Sequence, residues 1–125
     1  MSRTRVESSL LAARYTGVGT ITNTTGATSV DWSAAAVYKM ASALTGNIEF
    51  DFTNYVAGQV LTIYNISGAH AVTLDSDAST SESFLKAGGD YDGSTTNILQ
   101  IECLAGGDDA VFVYSVSTYT SDPTP

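Results

Sequence analysis

The stretch Asn47-Ile-Glu-Phe-Asp-Phe52 alternates apolar and acidic side chains without a break. In an extended chain its three apolar side chains fall on one face and its two carboxylates fall on the other. A period of two residues is typical of a half-buried β-strand. The same alternation recurs within Val60–Asn65, Asn97–Leu104 and Ala110–Val116. We therefore expect a chain built mainly of β-strands.

The composition favours one compact β domain over a helical enzyme. The chain has 125 residues, of which 43% are hydrophobic, and this is enough for one core without disulfides. Only 14% are charged, against about 25% in a typical domain. Much of the remaining polar surface comes from Ser, Thr, Asn and Gly. Such a coat suits sheet edges and packed assembly surfaces.

The spacing of strands and turns predicts an all-β fold, an antiparallel β-sandwich of jelly-roll type. Ser67-Gly-Ala69 is expected to form a short hairpin connection, followed by a returning strand over Ala71–Leu74. Ser83–Lys86 is expected to be a short edge strand. The predicted core consists of the inward-facing members of these strands: Ile48, Phe50, Phe52, Leu61, Ile63, Val72, Leu74, Leu99, Ile101, Phe112 and Tyr114.

The chain divides into three predicted segments, namely a basic N-terminal arm over 1–14, a β-sandwich domain over 15–117 and a polar C-terminal tail over 118–125. Thr4 and Glu7 have the spacing of a capping box, so a short helix is expected over 5–13. A helix of that length is marginal alone and needs a surface to lie on. Pro123 and Pro125 keep the tail out of sheet ladders.

Ser33–Leu44 is the ambiguous stretch of the chain. Val37, Met40 and Leu44 match helical spacing, and Gly46 could end such a helix. Tyr38, Met40 and Leu44 match strand spacing less well. Local spacing alone therefore slightly favours a helix here.

The charge of the chain is −8 and is distributed unevenly. The first fourteen residues carry three arginines against one acid, and the remainder carries two basic residues against twelve acids, a net −10. An acidic body disfavours nucleic acid as a partner, because phosphates need a basic face. The arm is either a solvated tail or a docking element for an acidic surface. In the second case the partner-binding residues are Arg3, Arg5, Val6, Leu10, Leu11 and Arg14.

The residues that usually carry enzyme chemistry are scarce. His70 and Cys103 are the only histidine and cysteine of the chain, which excludes the usual zinc sites. A Ser-His-Asp arrangement would have to use His70, which adjoins a turn. Cys103 shares an apolar face with Leu99 and Ile101 and is expected to be buried. We therefore expect no catalytic residues and no enzyme activity.

Loop carboxylates are the remaining candidates for a metal or a catalytic site. Asp75, Asp77, Asp90 and Asp92 lie in polar loops but lack the spacing of a calcium-binding EF-hand. A pair of carboxylates could also serve a glycosidase, which requires a separation that sequence does not supply. Solvated turn acids are the simpler interpretation, so no metal and no cofactor is expected.

Membrane and secretion signals are not evident in the sequence. No apolar run approaches the ~20 residues of a membrane span, and Leu10–Ala13 is too short for a signal peptide. The single cysteine fits folding in a reducing cytoplasm.

Tyr64 follows Ile63 and is expected to point away from the face of Leu61 and Ile63. An outward aromatic side chain can serve as a sugar platform, as a subunit contact or in ordinary cross-strand packing.

Residues 28–117 resemble a β-module that recurs in virion proteins of tailed phages. The likeness is carried by Val30-Asp-Trp32, by Leu44-Thr-Gly-Asn47 with the alternating strand after it, and by Gly58-Gln59 leading into Leu61-Thr-Ile63. Val72-Thr-Leu74 completes the pattern. The resemblance implies that Ser33–Leu44 includes a strand. The Trp-rich stretch that such modules usually carry after the hairpin has no counterpart here.

The resemblance implies a structural role in a virion, after synthesis in the host cytoplasm. Tail fibres append such modules to long shafts, whereas this chain starts at Met1 and ends soon after the module. We therefore expect a capsid decoration, or cement, protein whose partner is the major capsid protein or another virion protein. Decoration proteins often sit on local three-fold axes, which implies a homotrimer. The alternative is a tail-fibre or receptor- and glycan-binding module.

Overall fold

The computed structural model of the chain describes residues 17–125. The predicted arm over 1–14, with its helix and its six partner-binding residues, lies outside the described residues. The described part contains nine strands and no helix: β1 (Val18–Ile21), β2 (Gly26–Asp31), β3 (Val37–Met40), β4 (Ile48–Thr53), β5 (Val60–Ile66), β6 (Val72–Ser76), β7 (Ser83–Lys86), β8 (Thr96–Ala105) and β9 (Val111–Tyr119). The all-β prediction is confirmed.

The strands form two sheets between which the chain passes repeatedly. A six-stranded sheet has the order β1-β3-β5-β8-β9-β7, and a three-stranded sheet has the order β2-β4-β6. From β1 to β6, successive strands therefore alternate between the sheets. Each of β1 to β4 pairs in parallel with the strand two positions further on, as Gly26 with Ile48 and Ile48 with Val72. This winding is that of a β-solenoid.

The predicted antiparallel jelly roll is wrong. Only the β5–β8 and β8–β9 pairs are antiparallel, and the other five strand pairs are parallel. Alternation in a sequence assigns side chains to faces but says nothing about which strand lies alongside. Short strands separated by glycine turns are therefore compatible with either fold.

The predicted hairpin at Ser67–Ala69 is also wrong, because β5 and β6 belong to different sheets. Asn65 adopts a left-handed φ of 64°, and the β5 ladder is irregular between Ile63 and Ile66. Gly68 has a φ of 112° and lies so close to Leu44 that a Cβ would be 2.9 Å from its carbonyl oxygen. The chain turns a corner here instead of folding back on itself.

The core lies between the inner faces of the two sheets. Phe52 of the small sheet contacts Phe112 of the large one at 6.0 Å between ring centroids, and Trp32 contacts both rings. Most of the predicted core is confirmed as buried: Ile48, Phe50, Phe52, Leu61, Ile63, Leu99, Ile101 and Phe112. The other three predicted members are half-buried against the same core: Val72, Leu74 and Tyr114.

Within Ser33–Leu44 the strand implied by the resemblance is present as β3, and the local helical spacing is overridden. Tyr38 and Met40 point inward, and β3 pairs in parallel with both β1 and β5. A Cβ on Gly19 would come within 2.5 Å of the Tyr38 ring, so the glycine makes room for it. Tertiary pairing on both sides therefore decides the structure of this stretch.

Candidate functional site

The two sheets present outer faces of opposite character. The outer face of the small sheet is here called the acidic face. Its outward positions are Ala27, Ser29, Asp31, Glu49, Asp51, Thr53, Thr73 and Asp75. Four of these residues are carboxylates and none is basic. The parallel register places Ser29, Asp51 and Asp75 in one row across the three strands. Like charges on neighbouring strands repel one another, so the carboxylates of this face gain no favourable electrostatic contact from each other.

The centre of the acidic face is a carboxylate cluster. Oxygens of Glu49, Asp51 and Asp75 lie within 4.8 Å of one another. Asp75 accepts a hydrogen bond from the Ser76 amide at 2.8 Å. One oxygen of Asp51, Oδ1, is buried and has no hydrogen-bond partner among the described residues. The cluster is thus crowded with acceptors and short of donors.

The shortage of donors shows in the acidity of the cluster. Hydrogen bonding with Asp75, followed by hydrogen bonding and repulsion from Asp51, raises the pKa of Glu49 to about 7. Hydrogen bonding with Asp75 likewise raises the pKa of Glu82. The pKa of Asp75 is lowered, chiefly by its hydrogen bond with Glu82. Asp75 therefore keeps its charge while its two glutamate neighbours retain protons more readily.

The donor set of this cluster suits a hard cation. Carboxylate oxygens are the ligands that Ca²⁺ prefers, but Ca²⁺ takes six to eight of them. Three half-exposed acids on a flat sheet face supply only part of such a shell. Exposed acids commonly occur in such groups without an ion.

The outer face of the six-stranded sheet, here called the low-charge face, is different in kind. Among the described residues, Glu102 and Lys39 are its only charged strand positions. The described chain exposes six large apolar side chains, and five of them lie on this face: Val18 (55% exposed), Val60 (51%), Leu104 (51%), Leu85 (50%) and Tyr64 (38%). A shallow depression of about 290 Å³ is lined by one of these side chains, Val60, together with residues that include Gln100, Glu102 and Val113.

A third feature is an apolar groove between the sheets. The small sheet ends at β6, so the inner face of β7 and β9 is only partly covered. The groove measures about 380 Å³ and is lined mainly by apolar and aromatic side chains: Ile66, Val72, Thr73, Leu74, Phe84, Lys86, Tyr91, Leu99, Tyr114 and Val116. Its volume is at the lower end of small-molecule sites.

The walls of this groove are held by specific contacts. Tyr91 donates a hydrogen bond to the Gly68 carbonyl oxygen at 2.7 Å. Phe84 stacks on Phe112 at 4.9 Å with nearly parallel rings. Lys86 forms an ion pair with Asp90. The groove therefore combines aromatic rings with one charged pair.

The carboxylates that the sequence put forward lie in separate settings. Asp75 joins the cluster, whereas Asp77 is exposed just beyond β6. Asp92 accepts hydrogen bonds from the Ser94 amide at 3.0 Å and from its hydroxyl at 2.6 Å, as a loop-forming side chain does. Asp90 is the partner of Lys86. The glycosidase alternative therefore gains no convergent pair from these four residues.

The other candidate residues, His70, Cys103 and Tyr64, occupy positions that the fold itself explains. His70 is exposed in the turn before β6, where its amide donates to the Gly68 carbonyl oxygen at 2.9 Å. The predicted burial of Cys103 is confirmed, and burial raises the pKa of its thiol. Tyr64 points outward as predicted and packs edge-on against Tyr119 at 6.5 Å.

Sequence reasoning missed two members of the cluster, Glu49 and Asp51. Their alternation correctly placed them on the outer side of a strand. What was missing is the parallel register that sets Asp51 directly beside Asp75. An outward carboxylate on each of two strands was the available signal, and only the pairing of those strands turns it into a cluster.

A search of family models, curated proteins and solved structures finds no match to this chain. Within residues 17–125 there is also no helix of the length and hydropathy needed to cross a membrane.

Proposed function

We propose that this chain is a structural protein of a tailed-phage virion, a capsid decoration or cement protein that binds the shell and stabilises it. The observation that carries the proposal is the low-charge face, which concentrates exposed apolar side chains on a flat sheet surface. Interface cores are depleted in charge in the same way. Such a body is suited to packing against neighbouring subunits.

The basic arm is the second support. Residues 1–14 carry a net charge of +2 beside a body of −10. In this proposal Arg3, Arg5 and Arg14 meet carboxylates of the shell, and Val6, Leu10 and Leu11 fill an apolar groove on it. Exposed ion pairs add only ~0–1 kcal/mol each. The apolar residues therefore supply most of the affinity, and the arginines set orientation.

The remaining parts of the proposal follow from this role. The protein is located in the virion after synthesis in the host cytoplasm, it associates as a homotrimer, and it has no enzyme activity. The carboxylate cluster lies on an open sheet face and not in a cleft, which disfavours catalysis. Many weak copies on one shell add by avidity and stabilise it by mass action.

The test is cosedimentation with empty shells of the particle from which the protein co-purifies. A variant with Arg3→Glu, Arg5→Glu and Arg14→Glu is expected to lose binding while its circular dichroism stays that of a β protein. The matched control replaces the same three residues by lysine, which keeps the charge. Normal binding by the glutamate variant would show that the arm does not dock the protein.

A glycan-binding module is the second candidate, and the groove between the sheets favours it. Aromatic rings with nearby charged side chains are the usual means of holding a sugar. Tyr114 and Phe84 line the groove, and the Lys86–Asp90 pair stands at it. A glycan array separates the two candidates. Binding that Tyr114→Ala abolishes would support this module, and an array without binding would support the decoration role.

A further inference from the structure

We propose that the low-charge face is the surface through which copies of this chain associate with one another. This inference rests on the homo-oligomer of the proposed function and identifies where its subunits meet. Its starting point is segregation: five of the six exposed large apolar side chains of the described residues lie on this one sheet face, and none lies on the acidic face. A random surface would scatter such side chains singly.

The charge of the chain supports a second copy as the occupant. Each copy carries −8, so copies repel unless they meet where acids are few. The acidic face carries four carboxylates without a basic residue. On the low-charge face, Lys39 and Glu102 cancel each other. It is thus the sheet face on which two copies can pack without like-charge repulsion.

The two halves of this face are complementary. Lys39 stands on the half formed by β1, β3 and β5, and Glu102 stands on the half formed by β8, β9 and β7. Each half also carries exposed apolar side chains, Val18 and Val60 on the first and Leu85 and Leu104 on the second. Packing the first half of one copy on the second half of the next pairs Lys39 with Glu102. Repetition of that contact gives a closed ring if the rotation between copies closes and an open filament if it does not.

The size of the face sets the expected strength of the contact. Six strands at ~4.8 Å spacing span about 24 Å, and the paired lengths give roughly 20 Å in the other direction. Each half-face contact thus covers on the order of 250 Å² per copy, well below the ~800 Å² per partner of a standard interface. Association should therefore depend on concentration between the micromolar and millimolar ranges.

The experiment is sedimentation velocity of the full chain across that concentration range. Val60→Lys places an ammonium at the centre of the low-charge face, opposite Glu102 on the neighbouring strand. Ala27→Lys is the matched control, because it places the same charge at an exposed position opposite Glu49 on the acidic face. Both variants lower the net negative charge, so a loss of association in one alone cannot come from overall repulsion.

We expect the wild type and Ala27→Lys to associate alike. Val60→Lys should associate to the same extent only at a protein concentration at least about tenfold higher, a ratio that corresponds to ~1.4 kcal/mol. Lys39→Glu and Glu102→Lys should each weaken association, and the double variant should restore it. Equal urea midpoints for Val60→Lys and Ala27→Lys would show that folding does not account for the difference.

A monomer up to millimolar protein would overturn the inference, and so would equal weakening by Val60→Lys and Ala27→Lys. A dimer that Val60→Lys dissociates would support the surface and contradict the trimer of the proposed function. Loss of self-association with shell binding retained would also support the surface. Loss of shell binding by Val60→Lys with self-association intact would assign the face to the shell and overturn the inference.

Discussion

The acidic face and the low-charge face are built by the same alternation and carry different outward residues. Both sheets bury Phe, Ile and Leu on their inner sides, as β4 and β8 show. Outward, β4 carries Glu49 and Asp51, whereas β5 and β9 carry Val60 and Val113. The fold constrains one side of each strand and leaves the other free. The outward side chains are therefore the ones that can be selected for binding a partner.

The contrast also shows how each face tolerates its composition. Carboxylates on an exposed sheet stay hydrated, and they relieve repulsion by sharing protons, as the raised pKa of Glu49 indicates. Exposed valines and leucines have no such relief in water. Burying them against another surface removes the cost, which is the physical reason for placing the contact on the low-charge face.

The largest expected effect comes from breaking the core that both faces share. Phe52 is fully buried and contacts the rings of Trp32 and Phe112. Phe52→Ala should lower the free energy of unfolding by about 3–5 kcal/mol, because it leaves a cavity between the sheets. Urea denaturation followed by circular dichroism measures this. Val56→Ala, at an exposed loop position, is the control, and an equal loss there would contradict the shared core.

Sequence predicted the inner sides of the strands well because burial imposes a strict period of two. Phe50 and Ile63 were placed in the core from alternation alone, and both are fully buried. Strand partners were not predictable in this way. The partner of Val72 is Ile48, which lies 24 residues earlier, and nothing local marks that pairing. The carboxylate cluster depends on the same parallel register and was missed for the same reason.

Asp31 is an acid of the acidic face that is held by hydrogen bonds and is expected to stabilise the fold. Its Oδ1 accepts hydrogen bonds from the Ser33 amide at 2.8 Å, the Ser33 hydroxyl at 2.7 Å and the Asn54 side chain at 2.9 Å. These bonds lower the pKa of Asp31, the Ser33 hydroxyl being the largest cause. Asp31→Ala should cost about 1 kcal/mol in the free energy of unfolding.

The control for Asp31→Ala is Asp31→Asn, which keeps the acceptor oxygen and should lose less. Because the folded pKa of Asp31 is lowered, its charged form adds stability above about pH 4 and loses it as pH falls further. Urea midpoints for both variants at neutral pH provide the measurement. Equal losses would mean that the three hydrogen bonds do not stabilise the fold.

A smaller effect should separate the two faces directly. Ser29 lies beside Asp51 in the row across the acidic face, so Ser29→Lys should raise the free energy of unfolding by ~0.2–1 kcal/mol. Gln100 lies between Thr62 and Ser115 on the low-charge face, and Gln100→Lys should leave stability nearly unchanged. Differential scanning calorimetry at low salt compares them. A gain from both variants would mean that overall charge, and not the local row, is responsible.

The smallest expected effect is the pH dependence of the carboxylate cluster, which is exposed and screened by solvent. The pKa of Glu49 is about 7 in the folded chain against an ordinary value of 4.5, with hydrogen bonding to Asp75 as the largest cause. A raised folded pKa means that the folded state binds the proton more tightly. This contribution to stability is therefore complete below about pH 4.5 and is lost as pH rises through 7.

Glu49→Gln should remove that loss, so its unfolding free energy should change less between about pH 5 and pH 8 than that of the wild type. Glu102→Gln, on the low-charge face, should keep the wild-type dependence. Urea titrations of the three proteins at the two pH values decide the matter, and an unaltered pH dependence in Glu49→Gln would mean that the cluster shares no proton.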